Sequence, residues 1–155
     1  GNFRPGHFEG VIEVVKRLLS HIKTTYLFLG KKDYQQLIII KKYLENINSK
    51  IKVVPCDTIR AKNGIALSSR NKLLDQRSLI IAGKIISFLK RNKNQIIKSK
   101  KKIFFLKKIK EFGANKVDYL SAFNLKKLKR TNKPSINTRV FLAYYLNGVR
   151  LIDNF

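Results

Sequence analysis

A strand, a helix and a second strand follow one another between residues 24 and 54, and this order restricts the fold more than any other feature. Thr24 to Leu29 is rich in β-forming residues and stops at Gly30. Lys50 to Val54 is a second such run, halted by Pro55. The spacing predicts a βαβ unit of two parallel strands with a right-handed crossover. Asp33 is the expected cap of the intervening helix. The inner face of that helix is predicted to carry Leu37, Ile40, Leu44 and Ile47.

The pattern changes after about Arg60, where a loop around the turn pair Asn63-Gly64 begins. Helical periods are predicted for Glu9 to Ile22, Asp75 to about Asn92, and Ile103 to Phe112. Residues 93–102 are expected to be a solvated connection. Strand-like runs cover Val117–Asn124 and Thr138–Leu146, and the turn pair Asn147-Gly148 leads into Val149–Ile152. We therefore predict two domains: residues 1–59, an α/β part, and residues 60–155, a small α+β domain.

The formal charge of +25 would ordinarily suggest a nucleic-acid partner. Lysine far outnumbers arginine here, and Lys, Ile and Asn dominate the composition, as an AT-rich genome favours. Arginine, the residue that forms bidentate contacts with bases and phosphates, is not enriched. We predict no specific nucleic-acid partner. A basic nucleic-acid-binding module remains an alternative, and it would need arginines and aromatics grouped on one face.

Cellular location is inferred from the cysteine content and from the lengths of the apolar runs. The single cysteine, Cys56, cannot form an internal disulfide, which agrees with a reducing compartment. No signal peptide is evident, and no apolar run reaches about 18 residues, the length of a membrane span. We expect a cytoplasmic protein with no membrane partner.

The segment Gly30-Lys31-Lys32-Asp33 follows the first predicted strand, at the edge where an open α/β sheet binds ligands. A glycine there lets the backbone approach a ligand closely. Lysine offers a mobile charge for phosphate oxygens, and the aspartate can accept hydrogen bonds from ribose hydroxyls. In so lysine-rich a chain, the same triplet is also typical of a solvated helix start.

The loop Ser68-Ser69-Arg70-Asn71 combines two hydroxyls with a guanidinium. Such a loop can donate several hydrogen bonds to a polyphosphate and stabilise charge in its transition state. The alternative is a plain turn before a helix, where Ser and Asn are common.

Gln35 and Gln36 point about 100° apart on a helix, so only one of them can face a pocket. His7 has no carboxylate or second histidine paired with it in sequence, so we favour a structural or supporting role for this residue. No Cys/His cluster indicates a metal site, and no Gly-x-Gly-x-x-Gly indicates a dinucleotide.

In combination, four ordered segments resemble the pantothenate synthetase (pantoate–β-alanine ligase) family. Phe3 to Val11, read Phe-Arg-Pro-Gly-His-Phe-Glu-Gly-Val, is similar to its Arg-Pro-Gly-His-Phe-x-Gly-Val stretch. Phe28 to Leu37 resembles its Phe-Gly-Glu-Lys-Asp-Tyr-Gln-Gln-Leu segment, and Arg60 to Asn71 resembles its Arg-x-x-Asp-Gly-Leu-Ala-Met-Ser-Ser-Arg-Asn segment. Val117-Asp118-Tyr119 and Arg150 to Asn154 fit the C-terminal end.

The resemblance implies ATP-dependent ligation of pantoate and β-alanine through pantoyl adenylate, with release of AMP and pyrophosphate. Mg²⁺ would accompany the ATP. The implied fold is the second half of a Rossmann-like nucleotidyltransferase domain followed by a small α+β C-terminal domain. Lys32 and Arg70 would be catalytic, Gln36 would bind pantoate, and Val11 and Val15 would line the pantoyl pocket. The implied ATP-binding residues are Gly30, Lys31, Lys32, Asp33, Ile59, Leu67, Ser68, Ser69 and Arg70, with Ile59 and Leu67 acting through main chain. No protein metal ligands are implied.

Some positions depart from the family's pattern. Lys31 stands where the family usually has Glu, Leu67 stands in place of Met, and Ala61 and Asn63 replace common acidic residues. The family's upstream Pro-Met-Gly-x-Leu-His-x-Gly-His motif and a second pantoate-binding glutamine do not occur in these 155 residues. We therefore expect that this chain is the C-terminal portion of the enzyme and is inactive in isolation. The resemblance also implies that the full-length enzyme is a homodimer. A non-catalytic remnant of the enzyme remains an alternative.

Overall fold

The computed structural model describes residues 5–98 and 102–155. Parts of the predicted N-terminal loop and of the predicted 93–102 connection therefore lie outside the described residues. The chain divides into two compact units, residues 1–58 and 59–155. Among the described residues, none of the helices combines the length and apolar character that crossing a lipid bilayer requires.

The first unit is built on a parallel pair of strands. Helix α1 (His7–His21) precedes strand β1 (Tyr26–Gly30), a short 3₁₀ turn (Lys31–Asp33), helix α2 (Tyr34–Asn46) and strand β2 (Lys52–Cys56). The two strands are parallel and in register from Tyr26 opposite Lys52 to Gly30 opposite Cys56. The predicted parallel strand–helix–strand order is confirmed.

Three details of this unit differ from the sequence expectation. Pro55 lies inside β2 instead of ending it, which is tolerated because an edge strand leaves one row of N–H groups outside the ladder. Ile47 is 54% exposed, because α2 ends at Asn46 and the chain turns at Asn48 with φ 50°. Asp33 stands at the N-cap position, but its side chain makes no capping hydrogen bond.

Helix α1 forms as its apolar period predicts, yet it contains no buried residue. Val14, Leu18 and Ile22 are each more than half exposed, and so is Phe28 on β1, where Tyr26 is half exposed. Among the described strands β1 pairs only with β2. The small sheet therefore buries one side of α2 through Leu37, Ile40 and Leu44 and leaves a broad apolar surface uncovered.

In the part of the second unit that the structure describes, three α-helices pack against an antiparallel sheet. The helices are α3 (Gln76–Arg91), α4 (Lys93–Lys98) and α5 (Lys102–Glu111). The strands are β3 (Lys116–Asn124), β4 (Lys129–Arg130), β5 (Thr138–Leu146) and β6 (Val149–Asn154), in the sheet order β4-β3-β5-β6. The predicted α+β character and the two long strands are confirmed.

The core of this unit lies between the helices and the central strand β5. Fully enclosed side chains include Ile85 and Leu89 of α3, Ile109 of α5, and Val140 and Leu142 of β5. Asp75 caps α3 by accepting a 2.7 Å hydrogen bond from the Ser78 amide. The expected solvated connection was wrong for residues 93–98, which form α4, because Ile97 is 3% exposed and anchors this turn to the core.

Candidate active site

The first group of candidate residues follows the carboxyl end of β1. Gly30 has an extended backbone (φ −68°), and an added Cβ would meet no atom within 4 Å. The backbone conformation therefore does not require glycine, and the residue contributes free space at the surface instead. Lys31, Lys32 and Asp33 continue as one 3₁₀ turn, and all three are half-buried.

Lys31 forms an ion pair that sequence reasoning missed. Its Nζ lies 2.7 Å from Oδ1 of Asp57, which directly follows β2. Because Gly30 and Cys56 are opposite each other in register, the residues after them emerge at the same edge of the sheet. The register of the two predicted strands was the signal that could have found Asp57.

Gln35 and Gln36 differ as their helical spacing predicted. Gln35 is exposed, whereas Gln36 is half-buried. The Nε2 atoms of Gln36 and His7 lie 3.3 Å apart, so the amide can donate to the imidazole in the tautomer that carries its proton on Nδ1. His7 thus holds a predicted substrate-binding amide, in keeping with the supporting role expected for it.

The second group lies on the loop of residues 59–71. Ile59 and Leu67 are side by side, because the Leu67 amide donates to the Ile59 carbonyl at 2.9 Å. Gly64, with φ 85°, closes the turn between them, a conformation that favours glycine. Ile59 is 73% exposed and Leu67 is 51% exposed. The side chains of Ile59 and Leu67 therefore form one exposed apolar surface, which we call the apolar step. It lies beside the two predicted main-chain contacts for nucleotide.

Ser68 is the N-cap of a 3₁₀ helix (Ser69–Leu73), and its Oγ accepts a 3.3 Å hydrogen bond from the Arg70 amide. Its hydroxyl proton is still available to a ligand. Ser69 and Arg70 are exposed. The Arg70 guanidinium donates to the Arg150 carbonyl at 3.4 Å, which tethers it to β6. The loop thus presents hydroxyls and a cation together, and it is also the turn before a helix that the alternative interpretation expected.

Each unit therefore carries its own set of candidate residues, and each set is ordered locally. Among the described residues, no group of three or more His, Cys, Asp or Glu side chains could hold a metal ion. In the same part of the chain, no buried side-chain nitrogen or oxygen lacks a hydrogen-bond partner.

Comparison with known proteins gives matches that extend over the whole chain. The family model described as Pantoate-beta-alanine ligase matches residues 1–155. Pantothenate synthetases of Francisella tularensis subsp. novicida and Francisella philomiragia are 37% and 38% identical over all 155 residues, which is 52% of their own length. The chain thus spans about half the length of these relatives.

Similar solved structures belong to the same family. The crystal structure of the Francisella tularensis pantoate-beta-alanine ligase complexed with beta-gamma ATP and beta-alanine superposes with a TM-score of 0.81 at 37% identity. That alignment covers 100% of this chain and 52% of the relative. The pantothenate synthetase of Thermus thermophilus gives 0.82 at 28% identity, covering 100% of this chain and 58% of the relative.

The fold is α/β, part of a Rossmann-like nucleotidyltransferase domain followed by a small α+β domain. The chain belongs to the pantoate–β-alanine ligase family.

Proposed function

We propose that the protein containing this chain ligates pantoate and β-alanine to pantothenate at the expense of ATP. The observation that carries the proposal is the loop of residues 59–71, which holds an exposed apolar step next to two serines and an arginine. An apolar step suits a nucleobase, and hydroxyls with a guanidinium suit a polyphosphate. The family match over the whole chain and the relative's complex with ATP and β-alanine support the same reaction.

The reaction we propose has two steps. A pantoate carboxylate oxygen attacks the α-phosphorus of ATP, and the bond to pyrophosphate breaks. The β-alanine amine then attacks the acyl carbon of pantoyl adenylate, loses a proton, and AMP leaves with the bonding electrons. Both steps concentrate negative charge on phosphate oxygens, so fixed cations lower their barriers. Mg²⁺ enters with ATP as part of the substrate.

In this scheme Lys32 and Arg70 supply the cations and are the catalytic residues. Ser68 and Ser69 donate hydrogen bonds to the triphosphate, and Ile59 and Leu67 contact the nucleotide through main chain. Gly30 and Asp33 hold the ribose, which agrees with an Asp33 carboxylate that is not used as a helix cap. Lys31 contributes its backbone, since its ammonium group is engaged by Asp57. Gln36 binds pantoate.

We further propose that this chain carries only part of the site and does not turn over alone. The family's His-x-Gly-His segment is absent from these 155 residues, and with it the histidines that the resemblance assigns to the ATP phosphates. A ligase assay on the purified 155-residue chain tests this, and detectable pantothenate formation would contradict it. Homodimerisation of the full-length protein and a cytoplasmic location stay predictions.

A titration with a non-reactive pantoyl-adenylate analogue tests the nucleotide site. We expect Lys32→Ala and Arg70→Ala each to weaken binding by about tenfold or more, as loss of a charge-assisted contact predicts. Lys42→Ala and Arg91→Ala are the matched controls, because each removes the same type of charge from an exposed helical position. Equal weakening in the controls, or no effect of Lys32→Ala and Arg70→Ala, would contradict the assignment.

A further inference from the structure

The 59–71 loop contains a second arginine, Arg60, that neither the family resemblance nor the sequence assigned to a role. Its backbone forms an isolated antiparallel bridge with Ala66. The Ala61 amide donates to the Ile65 carbonyl at 2.9 Å, next to the pairing of Leu67 with Ile59. Arg60 thus sits in the narrow stem that sets the spacing between the two predicted nucleotide contacts.

The guanidinium of Arg60 makes four hydrogen bonds. Nη1 donates to Oδ2 of Asp153 at 2.7 Å and to the Gly64 carbonyl at 3.0 Å. Nη2 donates to Oδ1 of Asp153 at 2.9 Å and to the Asn154 carbonyl at 3.2 Å. One side chain therefore joins the tip of the loop to the end of β6, and its Nη1 and Nη2 atoms are committed within the protein.

The carboxylate that accepts from Arg60 is buried and hydrogen-bonded. Asp153 is 3% exposed at its side chain and lies opposite Leu142, a fully buried residue of the central strand β5. The Asn154 amide donates to Oδ1 of Asp153 at 2.7 Å. Burial lowers the pKa of Lys90, the charge of Arg60 lowers it further, and Asp153 opposes the shift. A buried, bidentate carboxylate–guanidinium pair holds its geometry far better than an exposed one.

A series of hydrogen bonds links the Arg60–Asp153 pair to Ser68. The Asn71 side chain donates to the Ala66 carbonyl at 3.1 Å, and the Asn71 amide donates to the Ser68 carbonyl at 3.0 Å. Ala66 is the residue that bridges Arg60. Displacement of Arg60 would therefore reach Ser68 through a short chain of hydrogen bonds.

We propose that Arg60 and Asp153 form a positioning pair that fixes the 59–71 loop in its ligand-binding conformation, while Arg60 itself does not contact the nucleotide. The two arginines of the loop thus have separate roles. Arg70 is exposed and is available to contact ligand, whereas the side chain of Arg60 is held by Asp153 on β6. The effect of the pair on nucleotide binding rests on the proposed function, whereas its ordering of the loop does not.

Hydrogen exchange and ATP titration on the 155-residue chain test the two parts separately. In Arg60→Gln and Asp153→Asn we expect the amides of Ala61, Gly64 and Leu67 to exchange at least about tenfold faster, because these amides report local opening of the loop. Exchange at Val140 and Leu142 of β5 should stay unchanged. The dissociation constant for ATP should rise at least about fivefold in the same variants, as loss of a preordered site predicts.

Two further variants separate positioning from charge and from general stability. Arg60→Lys keeps the charge but loses the two-point fork, so loop exchange and ATP affinity should fall between those of the unaltered chain and Arg60→Gln. Arg91→Gln removes an exposed arginine of the same unit and should leave both readouts unchanged.

The outcomes are distinguishable. Unchanged loop exchange would overturn the proposal, and so would a parallel rise in β5, which would make the pair a general stabiliser. A loosened loop with unchanged ATP affinity would also overturn the positioning role. If the unaltered chain binds no ATP, the nucleotide proposal fails for this chain, and the exchange comparison still decides whether the pair orders the loop.

Discussion

The guanidinium of Arg150 reaches across the central strand of the second unit to the carboxylate of Asp118, at 2.8 Å from Nε to Oδ2. Arg150 is on β6 and Asp118 is on β3, with β5 between them. The pairing of β3 with β5 shifts between Val117 and Tyr119, so Asp118 sits at a β-bulge. A bulge re-aims a side chain, and here it accompanies a contact between two strands that are not neighbours. The Arg150 carbonyl in turn accepts a hydrogen bond from the guanidinium of Arg70 in the candidate site.

The Asp118–Arg150 pair should matter for stability. Both side chains are mostly buried, at 4% and 18% exposure. Asp118→Ala would leave the Arg150 charge without its partner and should lower the free energy of unfolding of this unit by about 3 kcal/mol. Urea denaturation followed by circular dichroism at neutral pH measures this change. Lys116→Ala is the control, because its ammonium is exposed and 3.6 Å from the same carboxylate. A loss no larger than in that control would contradict the prediction.

Two isoleucines of α3 provide a matched test of the core. Ile85 is fully buried, whereas Ile80 is half exposed. Ile85→Ala should cost about 3 kcal/mol, because it removes buried methyl groups and leaves a cavity. Ile80→Ala should cost less than about 1 kcal/mol, because its side chain is still largely in contact with water. Similar losses in thermal or urea unfolding would mean that α3 does not pack as described.

The cap of α3 predicts a pH dependence. Hydrogen bonds from the Ser78 side chain and amide lower the pKa of Asp75 from its ordinary value of 3.8. Because the pKa of Asp75 is lower in the folded state, its ionised carboxylate stabilises the fold at pH values above the ordinary pKa. This contribution is lost as the pH falls through the folded-state pKa. Asp75→Asn keeps an acceptor for the cap but does not titrate. The melting temperature of the unaltered chain should therefore fall more steeply than that of Asp75→Asn as the pH falls below about 4. Parallel profiles would contradict this prediction.

Gln35 and Gln36 allow a test of substrate binding within one helix. Gln36 is half-buried and held by His7, whereas Gln35 is exposed. In the analogue titration, Gln36→Ala should weaken binding by about fivefold to tenfold, as loss of a neutral hydrogen bond predicts. Gln35→Ala should have no effect. Equal effects would remove Gln36 from the pantoate site. A fluorescence or calorimetric titration measures both variants under the same conditions.

Much of the local structure was predictable from the chain. The apolar period of α3, its start at Asp75, and the turn pair Asn147-Gly148 between β5 and β6 all appear where the sequence placed them. These features depend on interactions between residues a few positions apart, which a sequence displays directly. The segments of the two candidate loops were also recognisable, because their residue types and order are local.

Other expectations failed for reasons outside the local sequence. The segment 93–98 has the composition of a solvated linker, yet burial of Ile97 makes it a helix. Helix α1 has the apolar period of a packed helix, yet it buries no residue in this chain. Whether an apolar stripe is covered depends on which surfaces are available to cover it, and periodicity carries no information about that.

The sequence by itself determined the elements apart from α4 and β4, their order, and the residue types of the two candidate loops. Only the tertiary structure decided which side chains meet: Lys31 with Asp57, Gln36 with His7, and Arg60 with Asp153, which are 93 positions apart. Such pairs form because strand register and packing bring distant residues within hydrogen-bond range, where a buried charge needs a partner. This requirement separates the anchored Arg60 from the exposed Arg70, although both arginines belong to the same loop.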